Sequence, residues 1–182
     1  TLDARQLEHE VDDVGLLGPR GRLAAQRLGD GQQLVSVFAL EGGAFDACAY
    51  DEARASLEGA ARGSDRALVR EARYWLGETL LRLGQLQAAE RNFLLVAQDV
   101  SGNELAHYAL ASLGWIAFRL NDPARARASF DDLLRSRPGL SLLPFARSGR
   151  ALALFGLTRY PEARESWDAL LAMPLPQSVR LE

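Results

Sequence analysis

Leu76-Gly77 … Leu83-Gly84 … Ala88-Ala89 … Phe93 recurs as Leu113-Gly114 … Leu120-Asn121 … Ala126 … Phe130. Gly77 to Gly114, Ala89 to Ala126 and Phe93 to Phe130 are each a step of 37 residues. A further 37 leads from Ala126 to Ala163 and from Phe130 to Trp167. Self-similarity at such a period is the mark of stacked supersecondary units, so it outranks any single-residue motif.

The segments within each copy read as helices. The first copy gives a first helix over residues 65–83, ended by Gly84, and a second over 86–98. The second copy opens at Asn103, a capping residue, and runs to about 120. Asp122-Pro123 then supplies a cap followed by proline in the first turn, a specific start for a helix that ends near 136 before Pro138-Gly139. In the third copy Ser141 is the expected cap of a helix ending near Gly156, and Tyr160-Pro161 opens a last helix that runs to about Met173. With Gly149 aligned to Gly77, the third copy carries a loop two residues longer: Gly149 to Ala163 is 14, where Gly77 to Ala89 is 12.

Two helices joined by a short loop pack antiparallel and need small residues where they cross. Gly77, Gly114 and Gly149 are expected to supply these on the first helices, and Ala89, Ala126 and Ala163 on the second. A glycine inside a helix costs about 1 kcal/mol relative to alanine, so matched glycines call for a packing reason. Phe93, Phe130 and Trp167 follow the alanines by four residues on the same face and are expected to fill the space between neighbouring hairpins. No such hairpin buries its apolar face alone, so stacking is required.

This pattern resembles the tetratricopeptide repeat over roughly residues 45–173: Leu-Gly, a small residue twelve on, an aromatic four later, and a closing proline. Gly114, Ala126, Phe130 and Pro138 match it best. Ser101 replaces the proline in the first copy, Ser148 replaces the leucine in the third, and Arg73, Leu110 and Phe145 stand where the family has an early Trp. The resemblance implies an all-α fold, a right-handed superhelical array of antiparallel helix hairpins (a TPR-like α-solenoid), with three clear repeats and a degenerate leading one. Tyr74-Trp75-Leu76-Gly77 and Gly114-Trp115-Ile116-Ala117 also look similar to repeats of bacterial cell-envelope assembly proteins.

The expected organisation is a helical extension over residues 1–43, the second helix of the leading repeat over 44–63, repeats over 64–101, 102–139 and 140–176, and a tail over 177–182. In the extension, Leu2, Leu7, Val11 and Val14 recur at helical spacing, and residues 32–41 read as a helix or, on the core Val35-Ser36-Val37-Phe38, a strand, with helix favoured by the helical pattern of all that follows. Ala53 and Leu57 precede Ala89 and Phe93 by 36, which ties 51–62 to the repeat.

The resemblance implies that first helices line the concave, partner-binding face. At 100° per residue, with Gly77 at zero, Glu78, Glu71, Arg82 and Trp75 fall at about 100°, 120°, 140° and 160°, a stripe turned away from the second helix. The matching stripe is Tyr108, Ser112, Trp115 and Arg119 on the next first helix. On the third, with Gly149 at zero, it is Leu143, Arg147, Arg150 and Leu154. Trp, Tyr and Arg are the types that dominate interface energetics. The expected partner is therefore a protein or peptide segment docked across Trp75, Tyr108, Trp115, Arg119 and Arg150, with Glu71, Glu78, Arg82 and Arg147 beside them. The bland alternative buries the Trp rings between first helices and pairs Glu78 with Arg82 four residues on.

Composition narrows the function further. The 182 residues carry a net charge of −3, with −5 in residues 1–64 and +2 in the rest. All 21 basic residues are Arg, as a GC-rich genome favours. No P-loop or Schiff-base lysine exists. The acidic balance argues against a nucleic-acid partner. His9 and His107 are far apart, and no metal-ligand spacing, nucleophile elbow or phosphate loop is present, so neither catalysis, metal nor cofactor is expected. Cys48 is the single cysteine, so no internal disulfide forms, and a small buried apolar role is expected of it. No apolar run approaches the roughly 18 residues of a membrane helix. A rival to the monomeric adaptor is a homo-oligomer stacked through an uncapped end at Leu170, Leu171 and Met173.

Overall fold

The computed structural model describes residues 47–98 and 103–173. Seven helices lie among them: α1 (Ala47–Ala60), α2 (Arg66–Arg82), α3 (Leu86–Ala97), α4 (Glu104–Arg119), α5 (Pro123–Arg135), α6 (Leu143–Gly156) and α7 (Tyr160–Leu171). There is no strand among the described residues. The described residues are all-α, and the hairpins from residue 73 on form a TPR-like array. The expected helices over 1–43, the Cys48 side chain and the tail from 174 lie outside the described residues and side chains.

Two compact units divide the chain, Thr1–Ala72 and Arg73–Glu182. In the first, α1 buries Ala53 and Leu57, the positions that the leading repeat requires. Asp65 opens α2: its Oδ1 accepts from Ala67 N at 2.8 Å and Leu68 N at 3.3 Å.

In the second unit α3 packs on α4, α4 on α5, α5 on α6 and α6 on α7, and α4 also touches α6. Each second helix buries a matched triad or part of it. Ala89, Phe93 and Val96 lie inward on α3, and Ala126, Phe130 and Leu133 on α5. The i, i+4, i+7 spacing places each triad on one face. Helix α4 is enclosed by its neighbours and buries nine residues from Ala106 to Ala117. A helix apolar nearly all round is one that packs on several sides.

The turns fix the repeat most sharply. Gly84, Asn121 and Thr158 have positive φ of 72°, 55° and 60°. They are 37 residues apart. In each, the next residue's N–H bonds the carbonyl five residues back: Gln85 N to Leu80 O at 2.8 Å, Asp122 N to Ala117 O at 2.8 Å, and Arg159 N to Leu154 O at 2.9 Å. These are Schellman ends, which satisfy orphan carbonyls by a left-handed residue. The second helices then begin at Leu86, Pro123 and Tyr160, again 37 apart. Asp122 closes one helix and caps the next, its Oδ1 accepting from Arg125 N at 3.0 Å, a contribution of about 1 kcal/mol.

Two expectations are corrected here. The third hairpin has no longer loop, because the turns and the starts of the second helices keep the 37-residue step. The true counterpart of Gly77 and Gly114 is Ala151, fully buried, and Gly149 stands two residues earlier. Ser141 does not cap α6. The N-cap is Leu142, which closes a turn through Leu142 N to Gly139 O at 3.0 Å, with no side-chain cap. Asn103 does cap α4, accepting from Leu105 N at 3.2 Å.

Gly149 serves the packing in a different way. A Cβ on Gly77 would meet the Phe93 ring at 2.7 Å, and one on Gly114 would meet Phe130 Cζ at 2.5 Å. A Cβ on Gly149 would meet that same Phe130 ring. One phenyl group is thus held between glycines of α4 and α6, and the smallness of both is what lets the two helix backbones close on it.

Candidate functional site

The face formed by α4 and α6, with the 73–82 part of α2, carries the aromatic side chains on which a site can be built. Trp115 of α4 is half-buried. Its ring centroid lies 5.3 Å from Phe118, 5.6 Å from Phe145 of α6 and 6.2 Å from Phe130, the last two edge-on. Such geometry sets the positive ring edge against the negative face, and each pair contributes about 0.5–1.5 kcal/mol beyond its buried area. Arg119, one turn on from Trp115, is exposed and forms no ion pair among the described residues.

The nine expected stripe residues do not remain together. Trp75 and Glu78 are only 3% and 4% exposed, so they belong to the interior rather than to an open face. Tyr108 is half-buried, 6.4 Å from Tyr74. Arg82 and Arg119 are exposed, and Glu71 is half-buried.

Arg147 and Arg150 are turned elsewhere. Arg147 donates to Ala169 O of α7 at 2.5 Å. Arg150 donates from Nε to Asp131 Oδ1 of α5 at 2.7 Å and from its guanidinium to Ser166 Oγ of α7. Both act as clamps between helices. The reason is the register: taking Gly149 rather than Ala151 as the zero of α6 rotates the stripe by two residues, about 200°. Leu154, expected on the stripe, is accordingly fully buried. With Ala151 at zero, the α6 members are Phe145, Gly149, Leu152 and Gly156. Phe145 and Leu152 are therefore the site residues that the glycine alignment misses. The step from Asn121 to Thr158 carries the signal that identifies them.

Glu78 and Tyr74 form a polar group inside the seam between α2 and α4. Ser112 Oγ donates to Glu78 Oε1 at 3.0 Å, across 34 residues of sequence. Tyr74 also hydrogen-bonds the carboxyl. Burial raises the Glu78 pKa above the ordinary glutamate value, and the Ser112 bond, Arg82 and the Tyr74 bond pull it back only in part. Burial likewise pushes the Tyr74 phenol well above its usual range, helped by the Glu78 charge. The phenol therefore stays protonated, as a donor must. The expected Glu78–Arg82 pair is thus replaced by bonds from Ser112 and Tyr74, with Arg82 exposed.

His107 is half-buried with Nε2 in the interior and no hydrogen-bond partner. Among the described residues no group of three or more His, Cys, Asp or Glu is placed to hold a metal. No described helix is long and apolar enough to cross a membrane.

A family model for the tetratricopeptide repeat matches residues 44–104 and again residues 95–141. No curated protein and no solved structure matches the chain.

Proposed function

We propose, from the premise that this chain belongs to the tetratricopeptide repeat family, that it is a non-catalytic scaffold that captures a protein or peptide segment on its first-helix face. Repeats of this family mediate protein–protein interaction. The observation that carries the reading is the edge-on Trp115–Phe145 pair on adjacent first helices, with Arg119 exposed beside it. Aromatic surface gives a partner's apolar side chain a place to bury, and an arginine offers a fork for its carboxylate. The fitting ligand is a segment that carries an apolar anchor next to Asp or Glu. The Trp-bearing motifs at 74–77 and 114–117 support a setting in a bacterial envelope or another multiprotein assembly.

The test is a displayed peptide library panned on the full chain, with Arg119→Glu as the control. Arg119 is exposed, so its reversal leaves the helix intact, which circular dichroism verifies. Enriched peptides are expected to combine an apolar anchor with an acid and to bind the variant about tenfold or more weakly, the equivalent of about 1.4 kcal/mol. Peptides that bind both proteins equally would move the interface off this face.

A second reading is self-association through the last hairpin. Phe155, Tyr160 and Leu171 are 53%, 54% and 81% exposed. Phe155 meets Tyr160 edge-on at 5.3 Å and lies tilted against the half-buried Trp167 at 6.1 Å. In register, Trp167 corresponds to Phe130, against which Phe145 of the next hairpin packs. Sedimentation equilibrium decides it: a weight-average mass rising above 19.9 kDa with concentration, and returning to it in Phe155→Asp, supports stacking. A constant monomer mass dismisses it.

A further inference from the structure

We propose that the seam between α2 and α4 is a pH-controlled joint, in which Glu78, enclosed with Ser112 and Tyr74, holds the first and second hairpins together when protonated and loosens them when ionised. This goes beyond the capture of a partner and stands independently of it.

Glu78, Trp115 and Leu152 occupy one position of the 37-residue unit, and Ser112 and Gly149 another. At the seam between α4 and α6, the pair is Trp115 with Gly149, and Trp115 lies 5.6 Å from Phe145. At the seam between α2 and α4, the same slots hold a carboxyl and a hydroxyl, 3.0 Å apart. The α4–α6 joint is closed by aromatic packing, whereas the α2–α4 joint sets, beside its Tyr74–Tyr108 edge contact, a titratable group that is 4% exposed.

An ionised carboxylate has about four acceptor sites and needs either a cation or several donors when it leaves water. Glu78 is bonded by Ser112 and Tyr74. The groups that act on it are Tyr74 and Arg82 on α2 and Ser112 on α4, with Tyr108 of α4 beside Tyr74. Arg82 is itself exposed and acts on Glu78 through its charge. From α3, Glu90 is taken by Arg125 of α5 and Arg91 is exposed. His107 lies about 140° around α4 from Ser112. A proton on Glu78 is thus what neutralises the seam.

The sign follows from burial. The closed seam raises the Glu78 pKa above the ordinary 4.5, so closure is fully favoured below that value and is lost as pH rises through the raised one. Opening returns the carboxylate to water and to its ordinary pKa. Between the two values the opening constant rises by up to about tenfold per pH unit.

Hydrogen–deuterium exchange on the full chain between pH 5 and 8, corrected for intrinsic amide chemistry, reads this directly. Protection in peptides covering 74–83 and 105–113 is expected to fall several-fold as pH rises, while 143–153 stays constant. Glu78→Gln, which keeps an acceptor for Ser112 and carries no charge, should hold the first two segments protected at every pH. Equal pH dependence in parent and variant, or an equal loss of protection in 143–153, would overturn the joint. Should Glu78→Gln fail to fold, carboxyl carbon NMR of Glu78 in the parent replaces it. A titration midpoint above 4.5 supports the joint, and one at or below it rejects it.

Discussion

Phe130→Ala is expected to remove about 3–5 kcal/mol of stability, the upper range for a buried phenylalanine. The ring is fully buried and stands 6.0–6.2 Å from Trp115, Phe118 and Phe145, all aromatic neighbours. Two of the atoms that line its slot belong to Gly114 and Gly149, which have no side chain to relax into a void. The cavity therefore stays open, and the lost dispersion contacts are not replaced. Urea unfolding, read as a shift in midpoint at unchanged slope, measures the loss. A change under about 2 kcal/mol would mean that α4 and α6 collapse onto each other when the ring is gone.

Gly149→Ala is the second large effect and has the less expected direction. Helix propensity alone favours alanine by about 1 kcal/mol. Here the added methyl meets the Phe130 ring well inside van der Waals contact, and the ring has Gly114 at its back, 2.5 Å from where a Cβ there would lie. Overpacking of about 1–3 kcal/mol or more has to be absorbed by moving α6 away from α4. The net expectation is a loss of about 1–2 kcal/mol, with Gly114→Ala similar. In a Phe130→Ala background the sign reverses, because the methyl enters the void. A double-mutant cycle should then show a coupling of at least about 2 kcal/mol. A stabilising Gly149→Ala in the parent would show that the slot is loose.

The fold was legible because three kinds of signal agreed. Gly84 and Asn121 are residues that tolerate a left-handed turn, Asp122-Pro123 is a specific helix start, and the alanine and aromatic positions repeat at 37. Thr158 belongs to the same series but is invisible to turn chemistry, since a β-branched residue rarely takes φ near 60°. Without it, Gly149 was the natural partner for Gly77, and Arg147 and Arg150 fell onto the wrong side of α6. A glycine says that something comes close; it does not say from which neighbour. Gly77 faces the second helix of its own hairpin, whereas Gly149 faces that of the preceding one.

The site was less legible for a related reason. Glu78 and Arg82 stand four apart, which on an isolated helix is an ion pair. Only the arrival of α4 turns the carboxyl inward to Ser112. Trp75 is buried, while Trp115, at a different position of the repeat, stays half-open. Periodicity reports which residues share a face of one helix. Burial depends on how closely the next helix crosses it, and that is set by side-chain volumes on both.

The placement of Phe130 bears on how such a chain can lengthen or shorten. The segment that is copied in sequence is a hairpin, yet the element that must be kept whole is a second helix with the first helices on both sides. Genetic block and packing block are out of phase by half a unit. Unequal crossing-over that removes one block of 37, joining residue 103 to 141, would bring Phe93 opposite Gly149, a match in size. A duplication that instead set a Trp115-like residue in the Gly149 slot would leave no room for the phenyl group. Which recombinants survive is thus decided at the seams, where one lineage of blocks meets the next, rather than within any single copy.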